Sequence, residues 1–291
     1  MGKLAIIDAD ALTYHSSKDS IHESIEIIDE KIQNIFTQTE ATHYVLFISN
    51  SPYFRHQISP EYKSNRNKYK SPLKWLKTLK KYLIEEWGAQ SMDLVEADDL
   101  VSYWYNREIK TIGNSFNLNE TTGESEPKLP EVYEKVICSP DKDLLQSITG
   151  VHFNYSYKLE DKDNPNSIIK GWWVNTALED VTQFYGKQLL MGDSADGVTA
   201  LNGIGEIRAS KILENWQDGM LETFILDYYI EYYKGDVPKA IFEFQKTYRL
   251  LHMLDCDEDF MREVGKLPEF PVITEVIRDS QIEKLDDDLT F

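Results

Sequence analysis

Short apolar runs that stop at polar or acidic residues constrain the fold of this chain more than any other feature of its sequence. The runs are residues 3–8 (KLAIID), 43–48 (HYVLFI), 133–138 (YEKVIC) and 151–155 (VHFNY). Runs of this length and composition, bounded by polar residues, predict buried β-strands. Helical patterns lie between them, and strands that alternate with helices predict an α/β fold with a mostly parallel sheet.

The predicted helices have apolar residues at spacings of three and four. Residues 21–36 and 71–88 both fit this pattern, and the second segment has Ser71 and Pro72 at its start and Gly88 at its end. These residue types are favoured at helix starts and stops. Each segment therefore predicts an amphipathic helix with one face on the sheet.

Changes in composition and predicted secondary structure along the chain suggest three parts. Residues 113–131 are polar and rich in turn formers, and predict a loop. Residues 192–216 predict two short helical pieces joined by a glycine-bearing turn. We expect an α/β core over 1–185, a helical subdomain over 186–254 and an acidic C-terminal segment over 255–291.

The charge of the chain is unevenly distributed. Its net charge of −19 argues against a nucleic-acid partner. Between Pro52 and Leu83, however, nine basic residues accompany one acid, a local charge of about +8. Screening limits the reach of distant charges to ~8–10 Å, so this stretch can bind a polyanion. The alternative for its helical lysines is a solvated face.

Cysteine usage and hydropathy bear on location. Cys138 and Cys256 fit no disulfide or metal pattern, which is typical of the reducing cytosol. The start of the chain meets an acid too early for an apolar leader, and no segment approaches the ~20 apolar residues of a membrane span. We expect a cytoplasmic protein without a membrane anchor and, since no coiled-coil pattern occurs, a monomer.

Three groups of acidic residues occur where an open parallel sheet would place a site, and a fourth group lies just before the glycine turn. The groups are Asp8 with Asp10, Glu96 with Asp98 and Asp99, Asp141 with Asp143, and Asp193 with Asp196. Each group alone is explained by solvation or by helix first turns. If they converge, their repulsion requires a cation, and all-oxygen ligands suit Mg²⁺ or Mn²⁺ rather than zinc. Two such ions are a device for phosphodiester hydrolysis.

The order of the motifs resembles the 5′-nuclease family, which comprises flap endonucleases, 5′-nuclease domains of bacterial DNA polymerases and phage 5′–3′ exonucleases with RNase H activity. The motifs are IIDADAL, FR…EYKSNR, VEADD, SPDKDLLQ and MGDSADGVTALNGIGEIRASKIL, in order over most of residues 3–215. The Asp8–Asp10 pattern is most similar to the phage exonuclease branch. The resemblance implies a PIN-like, mostly parallel sheet flanked by helices, with a helical arch and a helix–three-turn–helix DNA-binding subdomain.

The resemblance also implies roles for individual residues. The metal-binding acids it implies are Asp8, Glu96, Asp98, Asp99, Asp141, Asp143, Asp193 and Asp196. Lys63 and Arg66 match the basic pair that reaches the scissile phosphate, and Tyr62 matches a residue that stacks on a terminal base. Residues 52–88 match the arch around the 5′ strand. Within this arch, the resemblance implies further DNA contacts at Arg55, Lys68 and Lys70.

The segment GIGEIRASKIL resembles the helix–three-turn–helix of the family. There Gly203, Ile204 and Gly205 would approach duplex phosphates, with Arg208 and Lys211 beside them, and the turn would hold K⁺. A nucleotide-binding GxGxxG is excluded, because a third glycine and a preceding strand are missing.

The activity that the resemblance implies is two-metal hydrolysis of phosphodiesters at 5′ ends, flaps or RNA primers during phage DNA replication. The implied partners are DNA and, further, RNA–DNA hybrids, in the host cytoplasm if the chain is phage-encoded. Two alternatives stay open. A PIN-type ribonuclease would share the α/β core and acids but lack GIGEIRASKIL. A non-catalytic nucleic-acid-binding protein would have a degraded metal site.

Two features depart from the family pattern. Many members have an aspartate at the end of the second strand; the phage-type spacing places it at Asn50 and the bacterial-polymerase spacing at Ile48, and we favour Asn50. Asn50 and Asp10 are therefore additional candidates for the metal site, with Asp10 compensating for the missing charge. The C-terminal sequence Asp286–Phe291 resembles the acidic, Phe-ended tips of single-stranded DNA-binding proteins. It predicts a docking segment for a replication partner, or else a solvated tail.

Overall fold

A six-stranded mixed sheet forms the centre of the protein. The computed structural model describes residues 2–65, 74–110, 116–118, 125–127, 132–160, 167–217 and 219–277. Its strands are β1 (Lys3–Asp8), β2 (His43–Phe47), β3 (Phe116–Leu118), β4 (Ser125–Pro127), β5 (Glu134–Cys138), β6 (Gly150–Leu159), β7 (Ile168–Thr176), β8 (Gly192–Asp193), β9 (Val198–Thr199) and β10 (Thr274–Glu275). The central sheet has the order β10-β2-β1-β5-β6-β7, and β3–β4 and β8–β9 form separate pairs.

The inner strands of the sheet are parallel. β1 pairs in parallel with β2 and β5, and β5 pairs in parallel with β6. The edge strands β7 and β10 are antiparallel to their neighbours. The prediction of a mostly parallel α/β sheet is therefore confirmed, and the carboxyl ends of β1 and β5 lie at one edge.

Helices cover both faces of the sheet. They are α1 (Asp10–Ser16), α2 (Ile21–Thr39), α3 (Arg55–Ile58), α4 (Leu76–Trp87), α5 (Ala97–Asn106), α6 (Lys142–Ser147), α7 (Leu178–Met191), α8 (Glu206–Leu213), α9 (Leu221–Tyr232), α10 (Val237–Leu251) and α11 (Asp257–Glu263). Alternate residues of β1 serve the two layers. Ile7 packs in the cluster with α2 and α4, whereas Ile6 packs in the cluster with α5 and α11. Burial on both faces explains why β1 is apolar throughout.

A third apolar cluster joins α7, α8, α9 and α10. Leu189, Ile225 and Tyr229 are buried in it. The predicted boundary at 185/186 falls inside α7, which packs on α6 as well as on α8. The division of the chain into three parts therefore stays a prediction. None of the helices in the described ranges is long and apolar enough to cross a membrane.

The two predicted amphipathic helices are present with shifted ends. The first runs to Thr39 rather than residue 36, and Glu40 then adopts a left-handed conformation. The second is α4, and Gly88 ends it with φ 65° as expected. Residues 66–73, with the predicted caps Ser71 and Pro72, lie outside the described residues. Of the predicted arch, only the two flanking segments are therefore described.

Three parts of the sequence-based description were wrong or incomplete. Residues 192–199 form the β8–β9 pair rather than a helical piece, so the helix before the glycine turn is α7. Strand β7 was missed. The segment after 254 is not merely an acidic extension, because Phe260 of α11 is fully buried and β10 pairs with β2. The predicted loop 113–131 falls mostly outside the described residues.

Candidate active site

The ends of β1 and β5 bring two acid groups together. Asp8 is the last residue of β1 and is 3% exposed. Ser139 Oγ donates to Asp8 Oδ2 at 2.9 Å and accepts from the Asp141 backbone N–H at 3.0 Å. Asp141 then caps α6 by accepting from the Asp143 N–H at 2.8 Å. Parallel pairing of the two strands thus places Asp8, Asp141 and Asp143 at one edge of the sheet.

The start of α5 contributes a third group, but its members point in different directions. Glu96 is the N-cap of α5 and is 4% exposed. Its carboxylate pairs with Lys63, and its Oε2 lies 2.8 Å from Arg55 Nη1. Burial alone would raise the pKa of Glu96, but Arg55 and Lys63 outweigh burial and lower it. Glu96 is therefore held ionised at the side of the cleft.

Asp99 does not face the cleft. It is fully buried, and both of its carboxylate oxygens accept from Arg55, at 2.7 and 2.8 Å. The Leu254 N–H donates to the same carboxylate at 3.0 Å. The prediction of Asp99 as a metal ligand is wrong, because its carboxylate is fully buried away from the cleft with both oxygens on Arg55.

Arg55 is a structural residue rather than a DNA contact. Its guanidinium is 3% exposed and also donates to the carbonyls of Leu250 (3.1 Å) and His252 (2.8 Å). A side chain in this position cannot reach a phosphate on the surface. The prediction of Arg55 as a DNA contact is therefore wrong, since its guanidinium forms buried ion pairs with Glu96 and Asp99.

Tyr62 and Lys63 connect Glu96 to the fourth acid group. The Tyr62 hydroxyl lies 3.0 Å from Glu96 Oε2 and 3.2 Å from Asp196 Oδ2. Lys63 Nζ pairs with Glu96 and lies 3.6 Å from Asp196 Oδ2. The Tyr62 side chain is 4% exposed, so the prediction that it stacks on a base is wrong. It instead orders two carboxylates.

The backbone at Lys63 is strained in favour of this arrangement. Lys63 has φ 56°, a left-handed conformation that is costly for a residue with a side chain. Its N–H donates to the Asp196 carbonyl at 2.8 Å, which holds the residue there. The main-chain bond and the side-chain contact together bring the Lys63 ammonium to the acids.

Asp193 and Asp143 meet on the other side of the cleft. Lys142 Nζ lies 3.8 Å from Asp193 Oδ2 and 3.9 Å from Asp143 Oδ1. Gln188 Nε2 donates to Asp143 Oδ1 at 3.2 Å. Asp193 accepts from the Ala195 N–H at 2.7 Å, which shapes the turn before Asp196.

The acids perturb one another. Burial, followed by the charges of Asp10 and Asp141, raises the pKa of Asp8 to about 7. Burial and the charge of Asp141 raise the pKa of Asp143 to about 7 as well. Burial and the charges of Asp8 and Asp141 raise the pKa of Asp98 well above its usual range. Such mutual destabilisation of the ionised forms is what a cation would relieve.

The cleft therefore has seven of the eight predicted metal acids: Asp8, Glu96, Asp98, Asp141, Asp143, Asp193 and Asp196. Their donor atoms are all carboxylate oxygens, which fit hard divalent cations. The pKa values of Asp8 and Asp143 are raised because burial and neighbouring acids leave their negative charges unbalanced, and bound divalent cations would balance them.

Asp10 and Asn50 lie at the end of the cleft next to Asp8. Lys80 Nζ lies 2.8 Å from Asp10 Oδ1, and the Ser49 N–H donates to Asp10 Oδ2 at 3.1 Å. Asn50 follows Ser49 and is exposed. Asp10 thus carries its own cationic partner, so metal binding by Asp10 and Asn50 stays a hypothesis.

The glycine turn before α8 is exposed. Gly203 has φ 82°, and both Gly203 and Gly205 have open space where a Cβ atom would lie. Ile204 is half-buried, while Arg208 and Lys211 project from α8 into solvent. The turn can therefore approach a flat or convex ligand without steric obstruction.

Several predicted residues cannot be placed. Arg66, Lys68 and Lys70 lie outside the described residues, as does Asp286–Phe291. Among the described residues, sequence reasoning did not assign Ser139, Lys80 and Gln188 to the site. Ser139 stands in the SPDKDLLQ motif and Lys80 in the basic stretch, but neither pattern says that the side chain contacts the acids. Lys142 had a signal, since it stands between Asp141 and Asp143, but its position over the cleft needed the fold.

A second group of potential metal ligands consists of His252, Asp255 and Asp259, whose donor atoms lie within 4.8 Å of one another. His252 Nε2 lies 2.8 Å from Asp259 Oδ2, and Arg262 donates to Asp259 Oδ1 at 2.7 Å. The His252 ring and the Arg262 guanidinium already contact both oxygens of Asp259. This group is therefore a polar network that fastens α11 to the end of α10.

No protein-family model matches the chain, and no curated protein matches its sequence significantly. Solved structures match its fold. A complex of the bacteriophage T5 flap endonuclease with product DNA and metal ions has a TM-score of 0.56 at 16% identity, over 85% of this chain and 88% of that one. The zinc-bound T5 5′-exonuclease has a TM-score of 0.56 at 18% identity, over 87% and 90%. The chain thus has the fold seen in these two structures.

Proposed function

We propose that this chain is a divalent-metal-dependent 5′-nuclease that hydrolyses phosphodiesters at the 5′ ends or flaps of DNA. The observation that carries the proposal is the convergence of seven carboxylates on one cleft, with Lys63 paired to Glu96 at its side. The fold shared with the T5 structures supports it, since one of them contains DNA and metal ions. The order of the motifs along the chain supports the same family.

We propose that the cleft binds two or more divalent ions, which are Mg²⁺ or Mn²⁺. Asp8, Asp141 and Asp143 lie at the strand ends, and Asp193 and Asp196 follow α7, so the acids approach an ion from different segments. Bound divalent ions would activate water and neutralise the charge that develops on the phosphodiester. The donor set is all oxygen, which favours these ions over zinc.

Residues of the chain perform the remaining tasks. Lys63 offers a cation to a phosphate at the edge of the acid cluster, where it offsets developing negative charge. Tyr62 fixes Glu96 and Asp196 relative to each other through its hydroxyl. Arg66 is the second phosphate-binding residue that we propose, with Lys68 and Lys70 as further DNA contacts from the basic stretch.

Duplex DNA would bind the exposed turn before α8. The open backbone at Gly203, Ile204 and Gly205 suits close approach of phosphates, and Arg208 and Lys211 supply charge. We assign K⁺ to the carbonyls of this turn. One 5′ strand of the bound DNA would then enter the cleft.

Finer aspects of the proposal follow the resemblance alone. They are action on RNA–DNA hybrids, a role in phage DNA replication within the host cytoplasm, a monomeric state, and a replication partner bound through Asp286–Phe291. The PIN-type ribonuclease is disfavoured by the turn at residues 203–205, and the non-catalytic alternative by the completeness of the acid cluster.

The test is cleavage of a 5′-flap DNA and of an RNA–DNA hybrid, each with Mg²⁺ and with chelator. We expect Mg²⁺-dependent release of 5′ fragments from the flap, and cleavage of the hybrid if the activity extends to RNA. Absence of Mg²⁺-dependent cleavage of both substrates would refute the nuclease. Cleavage of single-stranded RNA alone would favour the PIN-type ribonuclease.

A variant pair separates catalysis from binding. Asp141→Asn combined with Asp143→Asn should abolish cleavage while the affinity for flap DNA, measured by anisotropy with chelator present, is retained or increased. The matched control combines Asp93→Asn with Asp227→Asn, which removes two exposed acids and should leave cleavage unchanged. Equal losses in the two double variants would show that net charge, not metal ligation, matters.

A further inference from the structure

Asp10 has a lysine on its carboxylate even though it lies two residues from Asp8 in the acid cluster. Lys80 Nζ is 2.8 Å from Asp10 Oδ1, and the Ser49 N–H is 3.1 Å from Asp10 Oδ2. Asp10 Oδ2 therefore accepts a hydrogen bond, while Oδ1 is in ion-pair contact with the lysine. Asp10 is also the first residue of α1, so its backbone position is fixed by the helix.

Lys80 joins the segments that carry the acids. Its ammonium also donates to the Ser49 carbonyl at 2.8 Å. Ser49 Oγ in turn accepts from the Ala97 N–H at 2.8 Å, immediately after Glu96. The end of β1, the end of β2 and the start of α5 are thus linked through Ser49, with Lys80 as the bridging cation.

The inward direction of Lys80 is set by the packing of α4. Leu79 and Leu83 are fully buried and fix this helix on the sheet. Lys80 is 26% exposed, whereas the side chain of Lys81 is 71% exposed and pairs with Glu85 on the helix surface. Lys80 is therefore a partly buried cation on a rigid element.

The local charge explains the need for this cation. The end of β2 has the neutral Asn50, whereas Asp10 adds a negative charge beside the buried Asp8. An ammonium at 2.8 Å offsets most of that charge as felt from the cleft. The pair is close to neutral as a unit, so either member alone would change the field at the acid cluster.

We propose that Lys80 is a positioning residue that acts as a fixed internal cation at this end of the cleft. It holds Asp10 away from the divalent ions and thereby sets how tightly the acid cluster binds them. The inference rests on the proposed function in one respect, that the cluster binds divalent ions. It assigns Asp10 to the lysine rather than to the metal.

The test is Mn²⁺ binding to the full chain without nucleic acid, measured by calorimetry and by the electron paramagnetic resonance signal of free Mn²⁺. Lys80→Met should tighten Mn²⁺ binding by about threefold to tenfold, because Asp10 is left with an uncompensated charge. Asp10→Asn should weaken binding by a similar factor, because Lys80 is then unpaired. The double variant should return to within about twofold of the wild type.

Two controls make the outcome specific. Lys80→Arg keeps the charge and should retain wild-type affinity, while Lys81→Met removes an exposed lysine and should change affinity by less than about twofold. If Lys80→Met fails to fold, Asp10→Asn and the double variant test the same charge balance. Opposite shifts that cancel in the double variant support the proposal, because a purely structural role predicts no such cancellation.

Each other outcome overturns the proposal. Mn²⁺ binding by the wild type that is insensitive to Lys80→Met and Asp10→Asn would refute the role of Lys80 and leave the nuclease function standing. Weaker binding in both single variants, with no recovery in the double, would assign Asp10 to the metal. Absence of Mn²⁺ binding by the wild type would refute the proposed function together with this inference.

Discussion

Replacing Arg55 with methionine removes the cation at the centre of a buried polar network. Arg55 is 3% exposed and contacts Glu96, both oxygens of Asp99, and the carbonyls of Leu250 and His252. Methionine has a comparable length but no donors. The variant therefore leaves a fully buried carboxylate without its charge partner.

The cost can be bounded from the burial. Breaking a buried ion pair by removing one partner costs about 3–5 kcal/mol, because the remaining charge is neither paired nor hydrated. The two carbonyls that lose their donor add to this, at about 1–3 kcal/mol for each group left unsatisfied, although such terms are not additive. A protein has a total stability of about 5–15 kcal/mol, so Arg55→Met should be folded only marginally. We expect a loss of at least about 3 kcal/mol.

The assay is urea unfolding followed by circular dichroism, with the free energy of unfolding extrapolated to water. Lys170→Met is the control, because it removes a cation from an ion pair whose side chains are 48% and 47% exposed. That variant should lose less than about 1 kcal/mol. Combining Arg55→Met with Asp99→Asn should recover about 1–2 kcal/mol, because the stranded carboxylate is neutralised.

The opposite result has a definite meaning. If Arg55→Met unfolded with nearly wild-type free energy but bound DNA more weakly and with a shallower salt dependence, Arg55 would be a phosphate contact. The burial argument would then be refuted, and the sequence-based prediction that Arg55 contacts DNA would be restored.

Three further predictions follow from the site. Burial raises the pKa of Asp8 and Asp143 to about 7, above the unfolded value, so the metal-free protein loses stability as pH rises from about 4 to about 7. Because a divalent ion binds the deprotonated acids, saturating Mg²⁺ should raise the melting temperature more at about pH 8 than at about pH 6, and an equal rise would contradict this. Lys63→Met should lower the single-turnover cleavage rate by about 10²–10³-fold with little change in DNA affinity, whereas weaker binding at an unchanged rate would make it a simple binding residue. Gly203→Ala and Gly235→Ala, at φ 82° and 83°, should each cost about 1 kcal/mol in urea unfolding, but only the first should weaken binding to duplex DNA.

The sequence was sufficient to predict the parts of the fold that depend on local patterns. Lys3–Asp8 and Glu134–Cys138 form strands because an apolar run of that length has few alternatives once both faces are covered. The convergence of Asp8 with Asp141 then follows from parallel pairing of two strands. That step required only the topology rule and no side-chain detail.

The sequence could not reveal where individual charges point. Arg55 belongs to a basic stretch, and its burial depends on carbonyls of Leu250 and His252, almost two hundred residues away. Asp99 has the same local signal as Asp98, but one faces Arg55 and the other the cleft. Charge runs predict solvent exposure on average, and non-local partners decide the exceptions.

Two strands of the central sheet were missed because their patterns are weak. β7 carries half-exposed tryptophans and a glycine at 171, which is unlike the buried runs that identified the other strands. β10 has only two residues, and its pairing with β2 depends on the path of the whole C-terminal segment. Short edge strands lack a periodicity of their own.

The bonds from Arg55 to the end of α10 have a consequence for how the protein is made. During synthesis, the buried pair of Arg55 with Asp99 can form early, but its donors to Leu250 and His252 stay unmatched until those residues leave the ribosome. Asp193 and Asp196 are also translated late. The acid cluster is therefore completed late in translation, and a nascent chain ending near residue 185 would be a substrate for chaperones rather than an independently folded core.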